Sequence, residues 1–211
     1  MAAPRIGVFG GTFDPVHLGH LIVAADLQHA LNLDRLLFVP AGRPPHKNAD
    51  IVSDDADRLA MLELAIAGTP SFEISSADLD RGGPSYTADL LETLSMTLGP
   101  ADLVFIMGAD SLRDLPNWHD PARIARLARL GVARRPGVAV DLTAVLAAVP
   151  EARNRIDLVE SPLIGISSTD LRRRVEKGEP ITFQIPAAVE HYIFDRGLYA
   201  DRTDSKPDGT D

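Results

Sequence analysis

The chain has 211 residues, 45% hydrophobic and 24% charged, with 30 acids against 21 lysines and arginines for a net charge of −9. This composition fits one globular domain and excludes wholesale disorder, collagen and coiled coil, and the acidic balance argues against a nucleic-acid coat or an anionic-membrane binder. The absence of cysteine excludes disulfides, thiolate zinc sites and thiol catalysis. With aromatic residues at only 5%, the core must be built mostly of Leu, Val, Ile and Ala.

Residues 5–10 (RIGVFG) form a short apolar run ending in glycine, which predicts a buried strand. Helical spacing of Leu21, Ala24, Ala25, Gln28 and Leu31 predicts a helix over 18–31, followed by a strand over 35–39 that Pro40 stops. A Pro-rich polar loop over 41–52 leads to a helix over 54–67, with Ser53 as its expected cap and acids in its first turn. Strands follow over 72–75, 103–107, 130–133 and 156–159, and helices over 86–98, 120–127, 142–149, 169–177 and 186–196, the last opening on Pro186. Strands alternating with helices imply a parallel sheet covered on both faces. The organisation expected is one domain over 1–200, with a helical C-terminal part at about 166–200 and a disordered polar tail over 201–211. The N-terminal MAAPRIGVFGG has no apolar core behind a basic start, and no run approaches 18 apolar residues, so neither a signal peptide nor a membrane span is expected and the cytoplasm is the default compartment.

The stretch GGTFDPVHLGH (10–20) carries most of the chemistry, because it runs from the end of the first strand into the first helix. Ligands of open parallel sheets bind at strand carboxyl ends. Gly10 and Gly11 permit close backbone approach, and the helix N-terminus offers unpaired N–H groups to an anion. His17 and His20 share one helix face, and Gly19 between them removes side-chain bulk. Two such imidazoles can donate to phosphate oxygens, and either can be cationic beside a polyphosphate. Taken alone, the same pair also suits surface decoration or a metal site. The stretch is neither G-x-G-x-x-G nor a Walker loop.

Four other segments could serve the same ligand. In PPHK (44–47), His46 and Lys47 could close over phosphates from a loop beyond a strand. In GAD (108–110), Asp110 suits ribose hydroxyls or a helix cap. Trp118, the only tryptophan, lies among polar residues, where an indole can stack on a flat ring. In SSTDLR (167–172), Ser168 or Thr169 could cap a helix, and with Arg172 the same turn could cradle a polyphosphate. Strand-end Arg134 could bind a phosphate or carboxylate, whereas Arg173 and Arg174 read as solvated.

GGTFDPVHLGH, together with FVPAGRPPHK (38–47), GADSLRDLPNWHDP (108–121) and ISSTDLRRRV (166–175), resembles the nucleotidyltransferases with a His-x-Gly-His motif, and more narrowly the bacterial nicotinate-mononucleotide adenylyltransferases, over residues 5–199. The resemblance implies an α/β, Rossmann-like doubly wound sheet and transfer of AMP from ATP to nicotinate mononucleotide, giving deamido-NAD and pyrophosphate, with Mg²⁺ travelling on ATP. It implies His20 and His17 as catalytic residues beside Thr12, Gly10 and Gly11, and Gly108 and Asp110 at the dinucleotide's ribose region. Ser168, Thr169 and Arg172 would meet the β and γ phosphates. His46 and Lys47 would contact phosphate, Tyr86, Thr87 and Trp118 would lie at the nicotinate ring, and Arg134 is a further candidate for the pyridine nucleotide. No dense carboxylate cluster suggests a protein metal site, although Asp14 is placed to fix the loop, and no residue ordering suggests a covalent nucleophile. Same-scaffold enzymes for nicotinamide mononucleotide or phosphopantetheine, or a non-catalytic nucleotide sensor, stay open, as does a homo-oligomer.

Overall fold

The computed structural model describes residues 3–43, 53–162 and 164–200, so His46, Lys47 and the tail 201–211 lie outside the described residues. Six strands form one all-parallel sheet: β1 (Arg5–Gly11), β2 (Arg35–Pro40), β3 (Phe72–Ile74), β4 (Asp102–Gly108), β5 (Arg129–Arg134) and β6 (Ile156–Glu160), in the order β3-β2-β1-β4-β5-β6. The helices are α1 (Leu18–Ala30), α2 (Asp55–Ile66), α3 (Ala77–Arg81), α4 (Thr87–Thr97), α5 (Ala109–Asp114), α6 (Pro121–Leu127), α7 (Thr143–Ala148), α8 (Ser168–Glu176) and α9 (Ala187–Asp195). The predicted doubly wound α/β architecture is therefore present. None of these helices is long and apolar enough to cross a membrane.

Side-chain alternation along the central strands builds two cores. Leu36 and Phe38 of β2, with Val104 and Ile106 of β4, face α1, α2, α8 and α9. Leu37 and Val39, with Leu103, Phe105 and Met107, face α4, α5, α6 and α7. Both faces of a parallel sheet are covered, which is why its strands read as continuous apolar runs. Each fully buried Leu, Ile or Phe contributes roughly 1.5–3 kcal/mol.

The strand order fixes where a ligand can sit. The chain winds outward from β1 through β2 to β3, then returns to β4 beside β1 and winds the other way. The two directions diverge between the carboxyl ends of β1 and β4, leaving a crevice there. Gly10–Gly11 and Gly108 are the residues that end those strands.

Two local readings are corrected. Asp54, not Ser53, caps α2 by accepting from the Asp57 amide at 2.8 Å. Ser167 caps α8 through the Asp170 amide at 3.1 Å, which leaves Ser168 free for another partner. The short helices α3 and α5 lie in segments for which no element was predicted.

Candidate active site

The loop after β1 is held from three sides. Arg58 of α2 is fully buried and donates from Nη1 to the carbonyls of Thr12 (2.9 Å) and Ala41 (2.8 Å), with Nη2 on Asp55 at 2.5 Å. Asp14 is also fully buried; its carboxylate accepts from the Tyr199 hydroxyl at 2.5 Å and the Ser53 amide at 3.3 Å. Arg172 of α8 donates from Nη1 to the Asp14 carbonyl at 2.6 Å, and Ser168 donates to the Pro15 carbonyl at 2.9 Å. A Cβ on Gly11 would stand 2.9 Å from the buried Phe13 ring, so the loop folds this tightly only with glycine there.

This frame presents the two histidines. His17 precedes α1 in extended conformation, and its amide donates to Nδ1 of His20 at 3.3 Å. The rings stack with centroids 3.7 Å apart and planes 22° from parallel. Because Nδ1 of His20 accepts, Nε2 is the ring nitrogen left to donate. His17 is only 6% exposed, and burial lowers its pKa from 6.5 to about 4. Desolvation disfavours its charged form, against the pull that a bound polyphosphate would exert toward it. Gly19 has a steric reason: a Cβ there would lie 3.0 Å from Cε1 and Nδ1 of His17.

The two predicted phosphate segments meet through the 14–15 backbone, but their side chains divide between two cavities. His17 and His20 line one of about 270 Å³ with Phe9, Gly108, Arg134 and Ile166. Thr169 and Arg172 line another of about 1040 Å³ with Arg196 and Tyr199. Arg134 therefore joins residues expected to hold ATP, while its guanidinium also bonds the Val138 carbonyl (2.7 Å) and Glu160 (2.8 Å). Gly108 precedes α5 in extended conformation. Asp110 does not cap that helix; it is exposed and paired with Arg113 at 2.7 Å. Arg173 and Arg174 are not simply solvated, because both pair with Asp170 at 2.7 Å and hold its carboxyl below the ordinary range, Arg174 most strongly.

The predicted pyridine residues gather on the other side of the sheet end. Tyr86 stacks on His119, with centroids 4.2 Å apart and planes at 24°, which supplies the contact of His119 that the sequence left open. Trp118 is half-buried, its edge toward Phe105 at 6.1 Å, so it is partly a core residue and not a free platform. Thr87 opens α4, and the amides of Thr87 and Ala88 precede its first backbone bonds, which run from Asp89 and Leu90 to the Tyr86 carbonyl.

Sequence reasoning missed the clasp beneath these residues. Buried Asp78 of α3 accepts from the Gly42 amide at 3.0 Å and from Arg81 at 2.9 Å, and Arg81 reaches the Pro84 carbonyl at 2.6 Å. The Arg43 amide donates to Ser85 Oγ at 2.8 Å, and the Ser85 amide returns to the Arg43 carbonyl at 2.9 Å. These bonds tie the segment after β2 to the segment before α4. No periodic or motif signal marks them, since they join polar residues of two loops.

Among the described residues no group of three or more His, Cys, Asp or Glu is placed to hold a metal ion. The arrangement can bind an anionic ligand at the sheet end, with an imidazole nitrogen of His20 as a donor there.

The cytidylyltransferase-like family model matches residues 8–174. The chain is 56% identical over 195 residues to a probable nicotinate-nucleotide adenylyltransferase of Thermomicrobium roseum, covering 92% of this chain and 91% of that protein. It is 48% identical over 199 residues to the protein of that name in a Roseiflexus species, covering 94% and 100%. Its fold is similar to a solved Plasmodium falciparum nicotinic acid mononucleotide adenylyltransferase complexed with NaAD, with TM-score 0.74 and 19% identity over 93% of this chain and 97% of that one. The chain therefore belongs to the cytidylyltransferase-like nucleotidyltransferases and, within them, to the nicotinate-nucleotide adenylyltransferase family.

Proposed function

We infer that the enzyme transfers AMP from ATP to nicotinate mononucleotide, giving deamido-NAD and pyrophosphate, in NAD biosynthesis. The phosphate of nicotinate mononucleotide attacks the α-phosphorus of ATP, and the bond to the β-phosphate oxygen breaks. The attacking group is already an anion, so no strong general base is required. Catalysis is then positioning plus neutralisation of charge developing on the transferring phosphate.

The observation that carries this reading is the amide of His17 on Nδ1 of His20 at the start of α1, just beyond the β1 loop. It fixes a donor, Nε2, for a non-bridging oxygen of the α-phosphate. His17 supports that ring as a neutral stacking partner, and Gly10, Gly11 and Thr12 supply backbone close by. Gly108 and Arg134 share the His20 cavity and fit the ATP side. Asp110, exposed on the first turn of α5, is free on one face for a ribose hydroxyl. Ser168, Thr169 and Arg172 are proposed for the β and γ phosphates and the departing pyrophosphate; Thr169 and Arg172 face the second cavity, which joins the His20 cavity through the Asp14–Pro15 backbone. Mg²⁺ belongs with ATP, whose phosphate oxygens are hard ligands for it.

On the acceptor side, the Tyr86–His119 stack and Trp118 suit a flat pyridine ring. The first-turn N–H groups of α4 at Thr87 and Ala88 suit a carboxylate better than an amide, because an anion gains from the positive helix end. His46 and Lys47 are proposed for the acceptor phosphate. The setting proposed is the cytoplasm.

Pyrophosphate release from ATP, measured in parallel with nicotinate and nicotinamide mononucleotide, tests the reading. The acid should react with the higher kcat/KM. A preference for the amide, or release with neither, contradicts it.

A further inference from the structure

We propose that Tyr199 is a positioning residue for adenylyl transfer, acting through Asp14 on the phosphate-binding loop and on Arg172; this rests on the function proposed above. Asp14 is the junction. Its carboxylate takes the Tyr199 hydroxyl (2.5 Å) and the Ser53 amide (3.3 Å), and its carbonyl takes Arg172 Nη1 (2.6 Å). One fully buried residue thus joins the loop before His17 to the start of α2, to α8 and to the turn after α9.

Tyr199 is itself held in place. After α9 the chain turns at Gly197, with the amides of Gly197 and Leu198 returning to the carbonyls of Phe194 (3.1 Å) and Ile193 (2.9 Å). Tyr199 then adopts φ 62°, a left-handed conformation that a bulky residue takes only when its surroundings compel it. The helix below is anchored to α2, with the Tyr192 hydroxyl on Asp57 at 2.7 Å and Arg196 on Asp57 at 3.2 Å. Burial, the neighbouring Asp14 charge and the hydrogen bond push the Tyr199 phenol far above its ordinary pKa. It therefore remains a donor at every pH at which the enzyme works.

The consequence lies in Arg172. With Nη1 committed to the Asp14 carbonyl, the direction of its remaining N–H groups depends on where Asp14 stands. Tyr199 and Arg172 line the same cavity as Thr169, so a shift of Asp14 moves the loop and the cationic wall together. An intact Tyr199–Asp14 bond aligns both. Its loss leaves the fully buried carboxylate with one fewer donor.

Tyr199→Phe removes the hydroxyl and keeps the ring. ATP binding by calorimetry needs no acceptor, so it reports on this inference whichever phosphate monoester the enzyme uses. The variant should bind ATP about five- to tenfold more weakly and lose about tenfold in kcat, with the KM for nicotinate mononucleotide within about twofold of the parent's. Assayed well below its melting temperature, a variant weakened only in stability would keep all three values. A second comparison uses Asp14→Asn. If Tyr199 acts through Asp14, the double variant Tyr199→Phe/Asp14→Asn binds ATP no more weakly than Asp14→Asn alone. Parent-like ATP affinity and kcat in Tyr199→Phe, equal rises in both KM values, or multiplicative losses in the double variant overturn the inference.

Discussion

The amide of His17 donates to Nδ1 of His20 while the two rings lie stacked 3.7 Å apart, so the first histidine sets both the tautomer and the tilt of the second. A doubly protonated His20 would forfeit the accepting Nδ1. The buried, neutral ring of His17 adds no charge against which a phosphate-bound His20 would have to work.

The lowered pKa of His17 makes folding stability depend on pH. Its folded pKa is about 4 against 6.5 for the ordinary imidazole, so between those values the unfolded chain binds the additional proton. Stability on this account is full above 6.5, declines as pH falls and is lost below 4. From pH 7 to pH 5 the loss should be about 2 kcal/mol. Urea midpoints of the parent and of His17→Gln at the two pH values should show this slope flattened in the variant. An unchanged slope would mean that His17 is not desolvated.

Gly19→Ala should separate helix stability from catalysis. Alanine is the better helix residue by roughly 1 kcal/mol, yet its methyl would meet His17 Cε1 and Nδ1 at 3.0 Å and push the stacked pair aside. Thermal melting should change little, while kcat falls about tenfold or more, since small misplacements of a catalytic group are costly. Parent-like kcat would show that the ring tolerates the shift.

Much of this was legible in the sequence, and the remainder was hidden for definable reasons. The strand–glycine–histidine order of residues 5–20 announces itself because glycine, turn and helical spacing coincide. The starts of α2 and α8 were each misplaced by one residue, because Ser53–Asp54 and Ser167–Ser168–Thr169 each offer several competent caps in a row. The helices α3 and α5 span five and six residues, too short for a helical period to emerge. Arg58 and Asp78 were invisible because a charged residue in a polar context is ordinarily solvated, and only the fold shows each buried against its partners. Likewise, nothing in the spacing of Asp14 and Tyr199, far apart in the chain, announces their contact.

Asp78→Asn should act on the acceptor and not on ATP. It removes the charge that holds Arg81 and the Gly42 amide, loosening the tie between the segment after β2 and the segment that leads into Tyr86. The KM for nicotinate mononucleotide should rise about three- to tenfold and stability should fall by about 1–3 kcal/mol. The KM for ATP should stay put. A rise confined to ATP would place the clasp on the other substrate.

Trp118→Ala should raise the KM for the pyridine nucleotide about three- to thirtyfold, the range expected for losing an indole face. Because the ring is half-buried against Phe105, the variant should also melt earlier, at a cost of about 2 kcal/mol. Lower stability with an unchanged KM would make Trp118 a core residue only.

The most direct test of the central claim is single-turnover pyrophosphate release from saturating ATP and nicotinate mononucleotide by the parent and by His20→Ala. With the Nε2 donor removed, the rate should fall at least about a hundredfold, the loss of one preorganised hydrogen bond to the transferring phosphate. A variant that releases pyrophosphate at close to the parent rate would contradict the account.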